Sequence, residues 1–69
     1  MNFYADEWRE FIANCDFTDE ESKVVALLRR GWYSVDIAEE LGMGKRTVDR
    51  HRSRIIKKIK RYILKQEKE

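Results

Sequence analysis

Between residues 34 and 59 the chain reads SVDIAEELGMGKRTVDRHRSRIIKKI, and two glycines divide this stretch in two. Before Gly42, the residues Ile37, Ala38 and Leu41 fall at i, i+1 and i+4, the spacing of one apolar edge of a helix. Gly42 follows at once, where a glycine takes the left-handed conformation that ends a helix. After Met43 and Gly44 the pattern restarts. Val48, Ile55, Ile59 and the Tyr62/Ile63 pair share a face, with Arg52 filling its gap. Lys45, Arg46, Thr47, Asp49, Arg50, Ser53 and Arg54 are left for solvent or for a ligand. Ser34 is the expected cap of the shorter helix, since its hydroxyl can accept an unpaired backbone N–H. A short helix, a glycine turn and a long basic helix is an arrangement used to read DNA.

The remainder of the chain fits around that unit. Tyr4, Trp8, Phe11, Ile12 and Cys15 recur at helical spacing, so residues 2–15 are expected to form a helix with its aromatic face on the core. Asn2 is a candidate cap, and Asp6 and Glu7 suit the positive end of the helix dipole. Cys15 is expected to be a buried, inert thiol. Thr18-Asp19-Glu20-Glu21 is a capping box, and Phe17 ahead of it can pack toward Ser22 or Val25. The helix it opens should run to about residue 30, with Val24, Val25, Leu27 and Leu28 inward and Gly31 at its end. Trp32 should plug the next junction, and the Tyr33 hydroxyl can reach a phosphate. The last helix is expected over residues 45 to about 66, with Ile55, Ile59, Tyr62 and Ile63 buried and the lysines facing water. The expected fold is therefore all-α, one four-helix domain over residues 1–69, with a helix-turn-helix at about 34–59 and a long C-terminal recognition helix.

Size and charge narrow the function. A chain of 69 residues buries only about 60% of its unfolded surface, which leaves no room for an ordinary substrate cleft and its supporting shell. No nucleophile–base pair and no Cys/His metal set is visible, so no enzyme, metal or cofactor is expected. His51, the single histidine, lacks companion ligands and is expected to pack or to touch a phosphate. A single cysteine excludes an internal disulfide. An acidic N-terminus without an apolar run argues against a signal peptide, and no run is long enough to span a membrane. A cytoplasmic protein is expected. The net charge of +2 conceals a division: residues 1–40 hold four Lys/Arg and ten Asp/Glu (−6), residues 41–69 eleven and three (+8). A basic half backed by an acidic one suits a polyanion on one side only.

In order along the chain, these segments resemble the helix-turn-helix superfamily that joins LuxR-type C-terminal domains with region 4 of sigma-70 factors. The resemblance covers about residues 17–62. Phe17-Thr18-Asp19-Glu20-Glu21 through Val24-Val25 is similar to the family's opening, Asp36-Ile37-Ala38-Glu39-Glu40-Leu41-Gly42 to its Glu-Ile-Ala-x-x-Leu-Gly, Thr47-Val48-Asp49-Arg50-His51 to Thr-Val-x-x-His, and Ile55-Ile56-Lys57-Lys58-Ile59 to Ile-x-x-Lys-Leu. Gly44 stands where the family usually caps its recognition helix with Ser or Thr. Tyr33 stands where the family has the polar cap of the preceding helix. The local motif leans to LuxR. The helix order, with one before the capping box and a long one last, looks more like sigma region 4.

The resemblance implies a sequence-specific transcription regulator that sets the helix from about Lys45 into the major groove of double-stranded DNA. Arg50 matches a base-contacting position, and arginine pairs bidentately with guanine O6 and N7. Lys45 and Arg46 match sigma-type contacts, Asp49 and Ser53 LuxR-type ones. Asp49 is expected mainly to orient Arg46 or Arg50. Thr47 and Arg54 are phosphate candidates. The alternative is a sigma-like interaction module whose aromatic first helix docks on RNA polymerase or another partner, which requires Trp8 and Phe11 to be exposed. A homodimer, if formed, is expected through the end of the last helix at Ile63 and Leu64.

Overall fold

The computed structural model describes residues 3–67, and these form four helices: α1 (Ala5–Asn14), α2 (Asp19–Leu28), α3 (Ser34–Leu41) and α4 (Lys45–Glu67). The expected all-α architecture is present. α4, with 23 residues, is about 35 Å long at 1.5 Å per residue, and it sets the long axis of a molecule measuring 40 × 20 × 18 Å.

Each helix begins and ends where local chemistry requires. Glu7 accepts the Tyr4 N–H at 2.9 Å, closing the start of α1; the candidate cap Asn2 lies outside the described residues. The capping box of α2 is complete: the Glu21 N–H donates to the Thr18 hydroxyl (3.2 Å) and the Thr18 N–H to the Glu21 carboxylate (2.9 Å). Two helices then end in the same way. At Gly31 (φ 86°) and Gly42 (φ 66°) the backbone turns left-handed. The next N–H reaches back five residues, Trp32 to the Leu27 carbonyl (3.2 Å) and Met43 to the Ala38 carbonyl (2.9 Å). This satisfies carbonyls that a helix end leaves open. α2 thus stops at Leu28, and Arg29 and Arg30 lie in the turn beyond it. Gly44 starts α4, its carbonyl accepting from Thr47 (3.0 Å) and Val48 (3.1 Å).

The core is one cluster drawn from all four helices: Trp8 and Phe11, Val24, Val25 and Leu28, Ile37 and Ala38, and Val48, Ile55 and Ile59. Fully burying a side chain of this size is worth about 1.5–3 kcal/mol. Trp32, Leu27, Leu41, Met43 and Tyr62 pack around it, half-buried. Phe3 meets Trp8 and Phe11 edge-to-face, with centroids 5.3 and 4.9 Å apart, and Phe11 meets Tyr62 at 6.2 Å. This is the geometry aromatic quadrupoles favour.

α4 is the spine on which the others hang. It meets α3 at Arg52, α2 at Lys58 and α1 at Tyr62. The buried Glu21 accepts from Lys58 Nζ, which also donates to the Asp16 carbonyl at 2.7 Å. Burial pushes the Glu21 carboxyl up, but the Lys58 bond, the Thr18 N–H and the charges of Lys58 and His51 outweigh it and hold the group below the usual carboxylate range.

Several expectations are corrected. Tyr33, whose backbone is extended (φ −85°, ψ 158°), is the N-cap of α3, so Ser34 is already its first helical residue and its hydroxyl accepts from Arg52 of α4 instead. Lys58 faces inward because the Glu21 carboxylate needs a counter-charge. Tyr4 (79% exposed) and Ile12 (42%) fall off the buried side of α1, which Trp8 and Phe11 occupy. Ile63 is also exposed (38%), since Tyr62 makes the contact with α1 at that level of α4.

Candidate nucleic-acid interface

The glycine turn sets α3 and α4 against each other, and α4 divides by face. Val48, His51, Ile55 and Ile59, at steps of three, four and four, point into the core. The opposite side of its first half carries Arg46, Arg50 and Ser53, all exposed, with Lys45 and Arg54 exposed beside them. Thr47 and Asp49 are half-buried at the edges of this face. The seven residues expected to contact DNA therefore come together on the first three turns of one helix. α4 starts at its N-terminal end, where unpaired backbone N–H groups favour anions.

A polar network steadies this end. Arg52 Nη1 donates to the Ser34 hydroxyl at 2.8 Å, tying α4 to the first turn of α3. Lys45 Nζ donates to Asp49 Oδ2 at 2.8 Å, and Arg52 Nη1 lies 3.9 Å from the other Asp49 oxygen. The hydrogen bond from Lys45 first, and the Ser34 hydroxyl second, hold the Asp49 carboxyl below its ordinary range. Asp49 thus orients Lys45 and Arg52 rather than Arg46 or Arg50. Helix spacing excludes Arg50, its immediate neighbour, since residues three and four apart face each other; of the cations within that reach, Lys45 and Arg52 make the contacts and the exposed Arg46 does not. Arg52 was legible only as a filler of the apolar face; its bond to Ser34, eighteen residues away, has no sequence signal.

His51 is 7% exposed. Its Nε2 lies 3.1 Å from a Glu20 carboxylate oxygen, off the line a hydrogen bond needs, and neither ring nitrogen has a well-aligned partner. The histidine packs α4 on α2, out of reach of a ligand on the outer face. Among the described residues no group of three or more His, Cys, Asp or Glu side chains comes together. Cys15 is half-buried, its Sγ 3.8 Å from the Lys58 carbonyl, and burial raises its pKa. No described helix is long and apolar enough to cross a membrane.

The surfaces away from α4 have another character. Trp8 (2%) and Phe11 (4%) are buried, so the aromatic face of α1 is core. Tyr33, 77% exposed, stands at the start of α3. It borders an open recess with Asp36, Glu39 and Glu40, an acidic lining unsuited to phosphate. The outer face of the first half of α4 is therefore basic and the recess at the start of α3 acidic.

The chain has no significant match among curated proteins or among solved structures. A model of the family described as bacterial regulatory proteins, luxR family, matches residues 16–62. That span takes in α2, both glycine turns, α3 and α4 as far as Tyr62, and it leaves out α1 and the last turn of α4. It falls on the LuxR side of the resemblance and accounts for more than half of the chain, which therefore belongs to the luxR family of bacterial regulatory proteins, as a DNA-binding helix-turn-helix domain of transcription regulators.

Proposed function

We propose that residues 1–69 act as one domain that regulates transcription by setting the first half of α4 into the major groove of double-stranded DNA. The observation that carries this is the division of α4: one face wholly committed to the core, the opposite face presenting Arg46, Arg50 and Ser53 to solvent. A major groove about 12 Å wide admits one helix. Arg50, central on that face, reads a guanine through O6 and N7. Arg46 and Ser53 flank it on neighbouring base edges. Lys45, Thr47 and Arg54 hold phosphates, with help from the N–H groups at the helix start. Asp49 serves them indirectly by fixing Lys45 and Arg52.

Burial of Trp8 and Phe11 favours this reading over the alternative, in which an exposed aromatic face of α1 docks on RNA polymerase or another partner. At the end of α4, Ile63 and Leu64 are exposed, and a homodimer, if it forms, would meet there.

Selection of duplexes from a random library tests this reading. The wild type should enrich one motif, and Arg50→Ala should lose a guanine preference within it while keeping the flanking positions. Absence of any enriched motif, with only weak, salt-sensitive binding, would remove independent sequence reading.

A further inference from the structure

The reading face of α4 does not end where the recognition segment ends. Arg46, Arg50 and Ser53 are followed at steps of four, then three or four, then four or three by Lys57, Lys60 and Arg61, and Leu64. These spacings keep all of them on one side of the helix. Lys57, Lys60, Arg61, Leu64 and Lys65 line one open, concave surface. Lys57, Lys60 and Arg61 are exposed, and among the described residues none of the three makes an ion pair. Lys58 differs: it turns inward and is consumed by Glu21. Three cations in five residues thus hold their charge unneutralised on the face continuous with the base readers.

We infer that Lys57, Lys60 and Arg61 form a second DNA contact, a phosphate clamp on the strand that borders the groove. This rests on the major-groove reading proposed for Arg46, Arg50 and Ser53. α4 continues unbroken from Lys45 to Glu67. From Arg46 to Arg61 it advances about 22 Å, well beyond the roughly 12 Å width of the groove it enters. A helix that enters by its N-terminus and does not bend passes over the groove's wall, and that wall is a row of phosphates. The side chains it brings there are the three cations. Flexible Lys and Arg contacts of this kind fix register and add affinity without choosing bases.

The test compares the wild-type chain with the triple variant Lys57→Gln/Lys60→Gln/Arg61→Gln, and with Arg9→Gln/Lys23→Gln as a control that removes exposed charge from α1 and α2. Binding to the selected duplex is titrated across salt concentrations, and circular dichroism verifies that each variant keeps its helices. Each phosphate contact contributes about 0.9 to the slope of log K against log salt. The triple variant should lose about 2.7 from that slope and select the same motif as wild type. A slope change no larger than that of the control overturns the clamp, as does transfer of the stripe to anionic vesicles with the DNA slope intact. Failure of the wild type to select any motif is a different result and falls on the major-groove reading itself.

Discussion

Replacing Lys58 with methionine should cost about 2–3 kcal/mol of folding stability. Lys58 Nζ bonds the Glu21 carboxylate and the Asp16 carbonyl, and so joins α4 to α2 and to the link before it. Methionine keeps most of the aliphatic stem and removes the charge. Glu21, 1% exposed, is then a buried carboxylate with one backbone N–H for company. Breaking a buried pair from one side costs about 3–5 kcal/mol. The Lys58 side chain is 30% exposed, so water already screens part of the pair, and the expected loss falls below that range. A domain of this length is held by only about 3–10 kcal/mol. The effect of pH carries a definite sign. Glu21 titrates below the usual carboxylate range in the fold. Its contribution is therefore present above the unfolded value of about 4.3 and is lost as pH falls through the folded value. Without Lys58, burial acts on the carboxyl nearly unopposed and raises it, so acid relieves the variant while it harms the wild type. Urea unfolding followed by circular dichroism should show a gap between the two that is largest near pH 7 and narrows toward pH 3. A gap under about 0.5 kcal/mol at pH 7, or one that does not change with pH, would refute the reasoning.

Two further outcomes follow from the start of α4. Gly44→Ser should stabilise the domain by a few tenths of a kcal/mol, since a serine hydroxyl caps better than glycine and the nearest neighbour of an added Cβ is Thr47 Oγ1 at 4.0 Å; a lowered urea midpoint would contradict this. Asp49→Ala removes the 2.8 Å pair that positions Lys45 and should flatten the salt dependence of DNA binding by up to about 0.9 as that lysine's phosphate contact is lost; an unchanged slope would contradict the positioning role. Because the Asp49 carboxyl lies below its ordinary range, the wild-type slope should stay constant between pH 7 and 5, and a flattening on acidification there would show that the pair does not hold.

What the sequence disclosed is what local rules govern. The Thr18–Glu21 box, the stops at Gly31 and Gly42 and the inward face of α4 depend on residues within a turn or two of each other, and all four helices appear where those signals put them. The errors share a cause, which is contact across the fold. Ser34 has the composition of a cap, yet Arg52 claims its hydroxyl from eighteen residues away. Lys58 sits in a run of solvent lysines, yet a buried glutamate on another helix draws it inward. Tyr4, Ile12 and Ile63 have the right period for burial, but a domain this small has too few neighbouring elements to cover a full apolar face. At the interface, the seven expected residues are brought together on one end of α4, while the partner of Asp49 depended on helix geometry that favours Lys45 and Arg52 over the adjacent Arg50.

The most direct measurement places 7-deazaguanine at the guanine assigned to Arg50 in the selected duplex. The change replaces N7 by a C–H group in the major groove and leaves base pairing and phosphates intact. Wild-type binding should fall roughly tenfold, within the 1–3 kcal/mol of discrimination that a bidentate arginine supplies, and Arg50→Ala should bind both duplexes equally. A wild type indifferent to the substitution at every guanine of its motif would contradict major-groove reading by α4.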